Sequence, residues 1–139
     1  MLIVIGDTNA PSLFGKIFPE TELVRARGDV EISAPDAVVI AKTKAFEVLN
    51  AFGVIVGENA EVNTPRGVQL IVCGNSPKNT VSMTSRTSDK ITLALNRAVK
   101  TQNGICEPLE LPVDLLGGFS EFDYMSAFAG AILLHGKPF

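Results

Sequence analysis

The stretch Leu2-Ile-Val-Ile5, closed by Gly6-Asp7, is the clearest indication of the fold. It is continuous, rich in β-branched residues and followed by turn-forming residues, which predicts a strand buried on both faces. Two later stretches repeat the pattern, Ala37-Val-Val-Ile-Ala41 and Val68-Gln-Leu-Ile-Val-Cys73, and the second is followed by Gly74-Asn75. Strands buried on both faces are typical of parallel sheets covered by helices. The N-terminal half is therefore predicted to contain parallel βα units.

The segment after the first strand predicts a short helix. Asn9, or the loop before it, can cap this helix, Pro11 suits its first turn, and Pro19 ends it. Residues 22–25 then predict a weak second strand. The connection is thus a helix followed by a short extended segment.

A second helix is predicted over residues 44–52. Thr43 can cap it and Gly53 can stop it. Its apolar face would consist of residues at spacings of three: Phe46, Leu49 and Phe52. Residues 54–56 predict a short strand, and the polar residues 57–67 predict a loop.

The C-terminal half has an antiparallel pattern. Residues 80–84 and 91–99 alternate between apolar and polar, and the turn Gln102-Asn103-Gly104 leads to a strand over 105–113. An Asn-Gly pair between two β-type runs is a strong hairpin signal. Residues 122–134 predict an apolar helix packed on the sheet. We therefore predict one α/β domain over residues 1–139: a mixed sheet, parallel first and an antiparallel meander second, covered by helices in a Rossmann-like layered architecture.

Composition limits the classes of partner. With 139 residues, 46% hydrophobic and 19% charged, the chain is long and apolar enough to form one folded core. A net charge of −3 without a basic block argues against nucleic-acid binding. The apolar runs at 2–5 and 127–134 are too short for a signal sequence or a spanning helix, so we expect a cytoplasmic protein that binds no membrane. An exposed edge strand in the meander favours a homodimer or a partner protein.

Two loops are candidates for ligand binding, because ligands of open α/β sheets bind at the carboxyl ends of the strands. Residues 6–9 follow the first strand, and residues 74–79 follow the third. The second loop could bind a small anion through backbone N–H groups and Lys78, although turn formation alone also accounts for its residues. The candidate ligand-binding residues are Asp7, Thr8, Asn9, Asn75, Ser76, Lys78 and Asn79.

A nucleotide-binding loop is not indicated. Residues 10–17 have the spacing of the phosphate-binding loop GxxxxGK[ST], but Ala10 replaces the first glycine and Ile17 replaces the magnesium-binding hydroxyl. Cys73 and Cys106 have no CxxC spacing and are expected to be reduced thiols in apolar surroundings. We therefore predict no bound cofactor and no metal site.

Catalytic residues are not indicated either. His135 is the only histidine and lies far from both thiols in the sequence. Three carboxylates flank the glycine pair before the last predicted helix and are interpreted as helix-start charges: Asp114, Glu121 and Asp123. No acid–base pair, hydrolase motif or other catalytic residue is predicted.

From Ala37 to about residue 135 the chain resembles the later part of the central domain of Mur ligases, the ATP-dependent enzymes that add amino acids to cell-wall precursors. Residues 37–41 with 43–52 correspond to a strand and helix of that domain, and Leu70-Ile-Val-Cys-Gly74 to its "ITFG" strand. Residues 80–113 correspond to its antiparallel strands and 122–134 to its last helix.

The family's nucleotide loop, metal-binding glutamate and "LPGxHN" histidine have no counterparts in this chain. The resemblance therefore implies a bacterial, non-catalytic, Mur ligase-like accessory or binding module. The alternative is a small enzyme or sensor that binds a phosphorylated or nucleotide ligand at residues 6–9 and 74–79.

Overall fold

The structure is a computed structural model that describes residues 1–27, 29–42, 46–60 and 62–139. Eight of its strands form one sheet in the order β10-β7-β6-β5-β4-β3-β1-β2, and β8 and β9 form a separate hairpin. The elements in chain order are β1 (Leu2–Gly6), α1 (Ala10–Ile17), β2 (Leu23–Ala26), β3 (Val30–Lys42), β4 (Phe46–Gly57), β5 (Gln69–Cys73), β6 (Val81–Arg86), β7 (Lys90–Leu95), β8 (Val99–Thr101), β9 (Gly104–Cys106), β10 (Leu109–Asp114) and α2 (Glu121–His135).

Strand directions confirm the predicted mixed α/β sheet. Neighbouring strands from β2 to β6 pair in parallel. β7 is antiparallel to both of its neighbours, β6 and β10. The predicted hairpin at the Asn-Gly turn is also present, with Thr101 opposite Gly104, but it belongs to the β8–β9 pair outside the main sheet. The predicted strand over 91–99 is therefore two strands, and only the first belongs to the sheet.

β3 folds back on itself. If straight, its 13 residues would extend roughly 40 Å. Phe46 nevertheless pairs with Val30, and the four steps from Lys42 to Phe46 reach at most about 14 Å. The strand must therefore bend, and the pairing of β3 with β4 is interrupted between Ala34 and Val38. We call the parts before and after this bend the first and second legs of β3, and the paired parts of β4 its first and second legs.

The helix predicted over residues 44–52 is wrong, because residues 46–52 belong to β4; residues 43–45 lie outside the described residues. Ile32 pairs with Val48 and Ser33 with Asn50, so Leu49 is an extra residue without a partner. Such a bulge reverses the alternation of buried and exposed positions. Leu49 is exposed, and Phe46 and Phe52 pack against different cores. The spacing of three between these apolar residues is therefore not a buried helical face.

The two faces of the sheet have different covers. One face contributes Val4, Ile40 and Ile55 to a core shared with the buried residues of α1 and α2. The opposite face packs against Ile32 and Val48 of the first legs, in a second core with these residues: Ile3, Ile5, Val39, Val54 and Val56. Helices thus cover one face, and folded-back strands cover part of the other.

The helices of the described residues include none that is long and apolar enough to cross a membrane.

Candidate functional site

A cavity of about 460 Å³ lies where β3, β4 and β5 end, beside the first turn of α2. This position follows from the parallel pairing of the three strands, which brings their carboxyl ends to one edge of the sheet. The polar residues that line it are Lys42, Glu58, Asn59, Asn75 and Glu121. Its apolar wall includes Ala41, Cys73, Phe122 and Met125.

The charged groups of the cavity differ in the contacts that they make. The Lys42 ammonium lies 6.0 Å from the centre of the Phe122 ring, within the range of a cation–π contact. Glu121 Oε1 accepts a hydrogen bond from Arg86 Nη1 at 3.1 Å and is paired in charge. In the described part of the chain, neither Lys42 nor Glu58 takes part in an ion pair. Among the described residues, the cavity therefore has one unpaired positive and one unpaired negative charge.

Gly74 allows two polar side chains to meet behind the cavity. A Cβ atom on this residue would overlap both Glu58 Oε2 and Asn79 Nδ2. Asn79 is only 7% exposed, and its Nδ2 donates no hydrogen bond to any described residue. A buried donor left without an acceptor costs about 1–3 kcal/mol. The Asn79 amide thus lies close to the Glu58 carboxylate with its own donor unsatisfied.

The start of α2 is held by the loop that follows β1. Asp123 accepts hydrogen bonds from Thr8 Oγ1 at 2.6 Å, from the Asn9 backbone N–H at 3.0 Å and from the Ser120 backbone N–H at 2.9 Å. Ser120 Oγ in turn accepts from the Asp123 N–H, which completes a capping box. Burial raises the pKa of Asp123, but these hydrogen bonds outweigh it and lower the pKa below its ordinary value.

The loop at residues 6–9 therefore anchors a helix. Thr8 is buried in its contact with Asp123, Asn9 Nδ2 donates to the Gly118 carbonyl at 3.4 Å, and Asp7 is exposed. None of these three residues lines the cavity. The carboxylates that flank the glycine pair were predicted to lie at the start of a helix. This is confirmed for Glu121 and Asp123, which lie in the first turn of α2. The prediction is wrong for Asp114, which ends β10 and pairs with Lys90 at 3.0 Å.

The loop at residues 74–79 contributes in part. Asn75 lines the cavity, and Asn79 lies behind it. Ser76 Oγ accepts from the Lys78 N–H at 3.4 Å, and the Lys78 carbonyl accepts from Arg97, while the Lys78 side chain is exposed. Of the predicted residues, only Asn75 lines the cavity, and Asn79 contacts it indirectly, at Gly74.

Lys42 and Glu58 were missed as site residues. Lys42 ends β3 after the buried Ala41, and Glu58 follows Gly57 at the end of β4. The rule that points to residues 6–9 and 74–79 applies equally to them. It could have identified both, because residues 37–41 and 54–56 are predicted as strands.

Cys73 and His135 lie in different parts of the molecule. Burial raises the pKa of the Cys73 thiol far above its ordinary value, which keeps it protonated in the cavity wall. His135 lies at the opposite end of α2, in a groove of about 620 Å³. Its Nε2 is 3.2 Å from Thr21 Oγ1, and its ring stacks on Phe18 at 4.0 Å between centroids. Burial, followed by the positive charges of the N-terminus and Lys137, lowers the pKa of His135.

Over the described ranges, no three His, Cys, Asp or Glu side chains form a group that could hold a metal ion.

Comparisons with models of protein families, with curated proteins and with solved structures find no match to this chain.

Proposed function

We propose that the protein is a non-catalytic binding module that holds a small ligand in the cavity at the ends of β3, β4 and β5. The observation that carries this proposal is the cavity itself. Its volume of about 460 Å³ lies within the usual range of small-molecule sites, roughly 300–1,000 Å³. It also lies at the edge of a parallel sheet where α/β proteins bind their ligands.

The non-catalytic part of the proposal rests on the groups that face the cavity. The Cys73 thiol is held protonated by burial, and the only histidine of the chain is at the other end of α2. We also propose, from the sequence pattern alone, that the protein is related to the Mur ligases, that its layering is Rossmann-like and that it is located in the cytoplasm.

A sensor or small enzyme for a phosphorylated ligand is the second candidate. It is favoured by Lys42 and by the first turn of α2, where a helix presents backbone N–H groups to an anion. Glu58 opposes it, because its carboxylate lines the same cavity, has no ion-pair partner among the described residues and repels phosphate. The first candidate is therefore preferred.

A thermal-shift experiment with a cavity variant tests the proposal. A ligand present at a hundred times its Kd adds about 2.7 kcal/mol to the free energy of unfolding, which is roughly 10 °C for a domain of this size. The panel contains ATP, UDP-sugars, inorganic phosphate, amino acids and amines. We expect at least one compound to raise the Tm of the unchanged protein.

The Gly74→Ala variant should lose that shift, because the added methyl group displaces Glu58 and Asn79. Gly15→Ala is the matched control, since a Cβ atom there meets nothing within 4 Å. Circular dichroism establishes that both variants are folded. The absence of a shift with every compound contradicts the proposal, as does a shift that persists in Gly74→Ala.

A further inference from the structure

We infer that the ligand of this cavity is a small zwitterion that carries both an ammonium group and an acid group. This inference rests on the proposed function, which it makes more specific. The unpaired charges of the cavity carry it: Lys42 is positive, Glu58 is negative, and neither is neutralised by a described residue. The third charged side chain, Glu121, is already paired with Arg86.

The two unpaired charges lie on different sides of the cavity. Lys42 ends β3, and its ammonium is near the Phe122 ring. The Glu58 carboxylate reaches in the other direction, over Gly74 just after β5. Since β4 lies between β3 and β5, the strand ends are two spacings apart, or about 10 Å.

The volume of the cavity limits the size of the ligand. At about 460 Å³ the cavity admits a small molecule. The class of small zwitterions includes α- and β-amino acids, aminosulfonates and phosphoethanolamine.

Independent support for a ligand at the Glu58 side comes from Asn79. Its amide is more than nine-tenths buried, has no acceptor among the residues that the structure describes, and lies at Gly74 close to the Glu58 carboxylate. A carboxylate has two oxygens. When a bound ammonium fixes one oxygen of Glu58, the other can accept from Asn79 Nδ2. Ligand binding thus supplies the arrangement in which the buried donor is satisfied.

The acid group belongs at the Lys42 side, beside α2. The backbone N–H groups of Glu121 and Phe122 occupy the first turn of α2, where a helix has no internal acceptors for them. They and the Lys42 ammonium attract negative charge. A simple amine would leave Lys42 unpaired, and a simple anion would leave Glu58 unpaired. A zwitterion pairs with both charged groups.

Isothermal titration calorimetry on the full chain tests the inference. The zwitterions are L-alanine, L-leucine, β-alanine, taurine and phosphoethanolamine, which separate carboxylate, sulfonate and phosphate as the acid group. N-acetyl-L-alanine lacks the cation, L-alanine methyl ester lacks the anion, and ATP represents nucleotides. We expect a zwitterion to bind and its blocked forms to bind roughly tenfold or more weakly, because each loses a charge-assisted hydrogen bond.

Two variants locate the charges. Glu58→Gln and Lys42→Gln should each weaken zwitterion binding by roughly tenfold or more. Glu31→Gln and Lys100→Gln change exposed residues away from the cavity and should leave it unchanged. Equal binding of zwitterion and blocked forms, or binding of ATP that Gly74→Ala abolishes, overturns the zwitterion and leaves the binding module standing. Failure of every compound to bind overturns both.

Discussion

Thr8 and Asp123 show how a residue that looks like a ligand-binding group can instead hold the fold together. They are 115 positions apart in sequence and share the 2.6 Å hydrogen bond that joins the loop after β1 to the start of α2. A polar residue after a buried strand is compatible with either role. Only the position of Asp123 in the folded chain decides between them.

Replacement of Thr8 by Val should make the free energy of unfolding depend less on pH in the acid range. The pKa of Asp123 is lower in the folded state than in the unfolded state, so its contribution is complete above the unfolded value of about 4 and is lost as the pH falls through the folded value. Thr8→Val removes one of the hydrogen bonds that lower this pKa and should cost about 1–3 kcal/mol near neutral pH.

Urea unfolding of both proteins at about pH 7 and about pH 3 measures the effect. The part of the loss that comes from Asp123 should shrink at the lower pH. Thr84→Val, at an exposed position of β6, is the control and should change little at either pH. An equal loss at both pH values would show that Asp123 is not the partner that matters.

At the scale of elements, the two-leg strands β3 and β4 distinguish this fold from a sheet covered by helices alone. The second legs continue the main sheet, and the first legs cover its other face. Ile32, on the first leg of β3, is 4% exposed in the core that contains Val39. Its burial depends entirely on the bend of the strand.

Truncation of Ile32 therefore tests the fold-back. Ile32→Ala should lower the free energy of unfolding by about 2–5 kcal/mol, the usual cost of such a cavity in a core. Ile105→Ala removes the same atoms from a side chain that is 64% exposed and should stay within about 0.5 kcal/mol of the unchanged protein. Equal small losses in urea unfolding would mean that the first legs do not cover the sheet.

At the scale of the whole molecule, β2 and β10 are the two edges of the main sheet. The β2 edge is short and carries Leu23 and Val24, which are 43% and 41% exposed. An exposed apolar edge can pair with the same edge of a second copy. The homodimer stays a prediction. The sequence pattern placed it at the edge of the meander, which is β10, and the exposed apolar residues lead us to place it at β2 instead.

Sedimentation velocity over a range of concentrations tests the dimer. The unchanged protein should associate as its concentration rises, and Val24→Lys should remain a monomer, because a lysine on an edge strand opposes pairing. Ile105→Lys alters an exposed residue outside the main sheet and should not affect association. A monomer at every concentration would contradict the prediction.

The sequence by itself determined the features that depend on local pattern. The strands at residues 2–5, 37–41 and 69–73 follow from continuous β-branched runs, the β8–β9 turn from its Asn-Gly pair, and α2 from its apolar residues and its ending at Gly136. The predicted burial of both faces is wrong for the last of these strands, where Leu70 is 38% exposed. These signals are read within a few residues of one another, so no distant contact is needed to interpret them.

Only the tertiary structure decided that residues 46–52 form a strand and which residues line the cavity. Phe46, Leu49 and Phe52 have the spacing of a helical face, and pairing with the first leg of β3 overrides that local pattern. Once β4 is a strand, its end carries Glu58 to the same edge as Lys42 and Asn75. The candidate site is built from residues far apart in sequence, and their meeting depends on strand order and register, which no local pattern encodes.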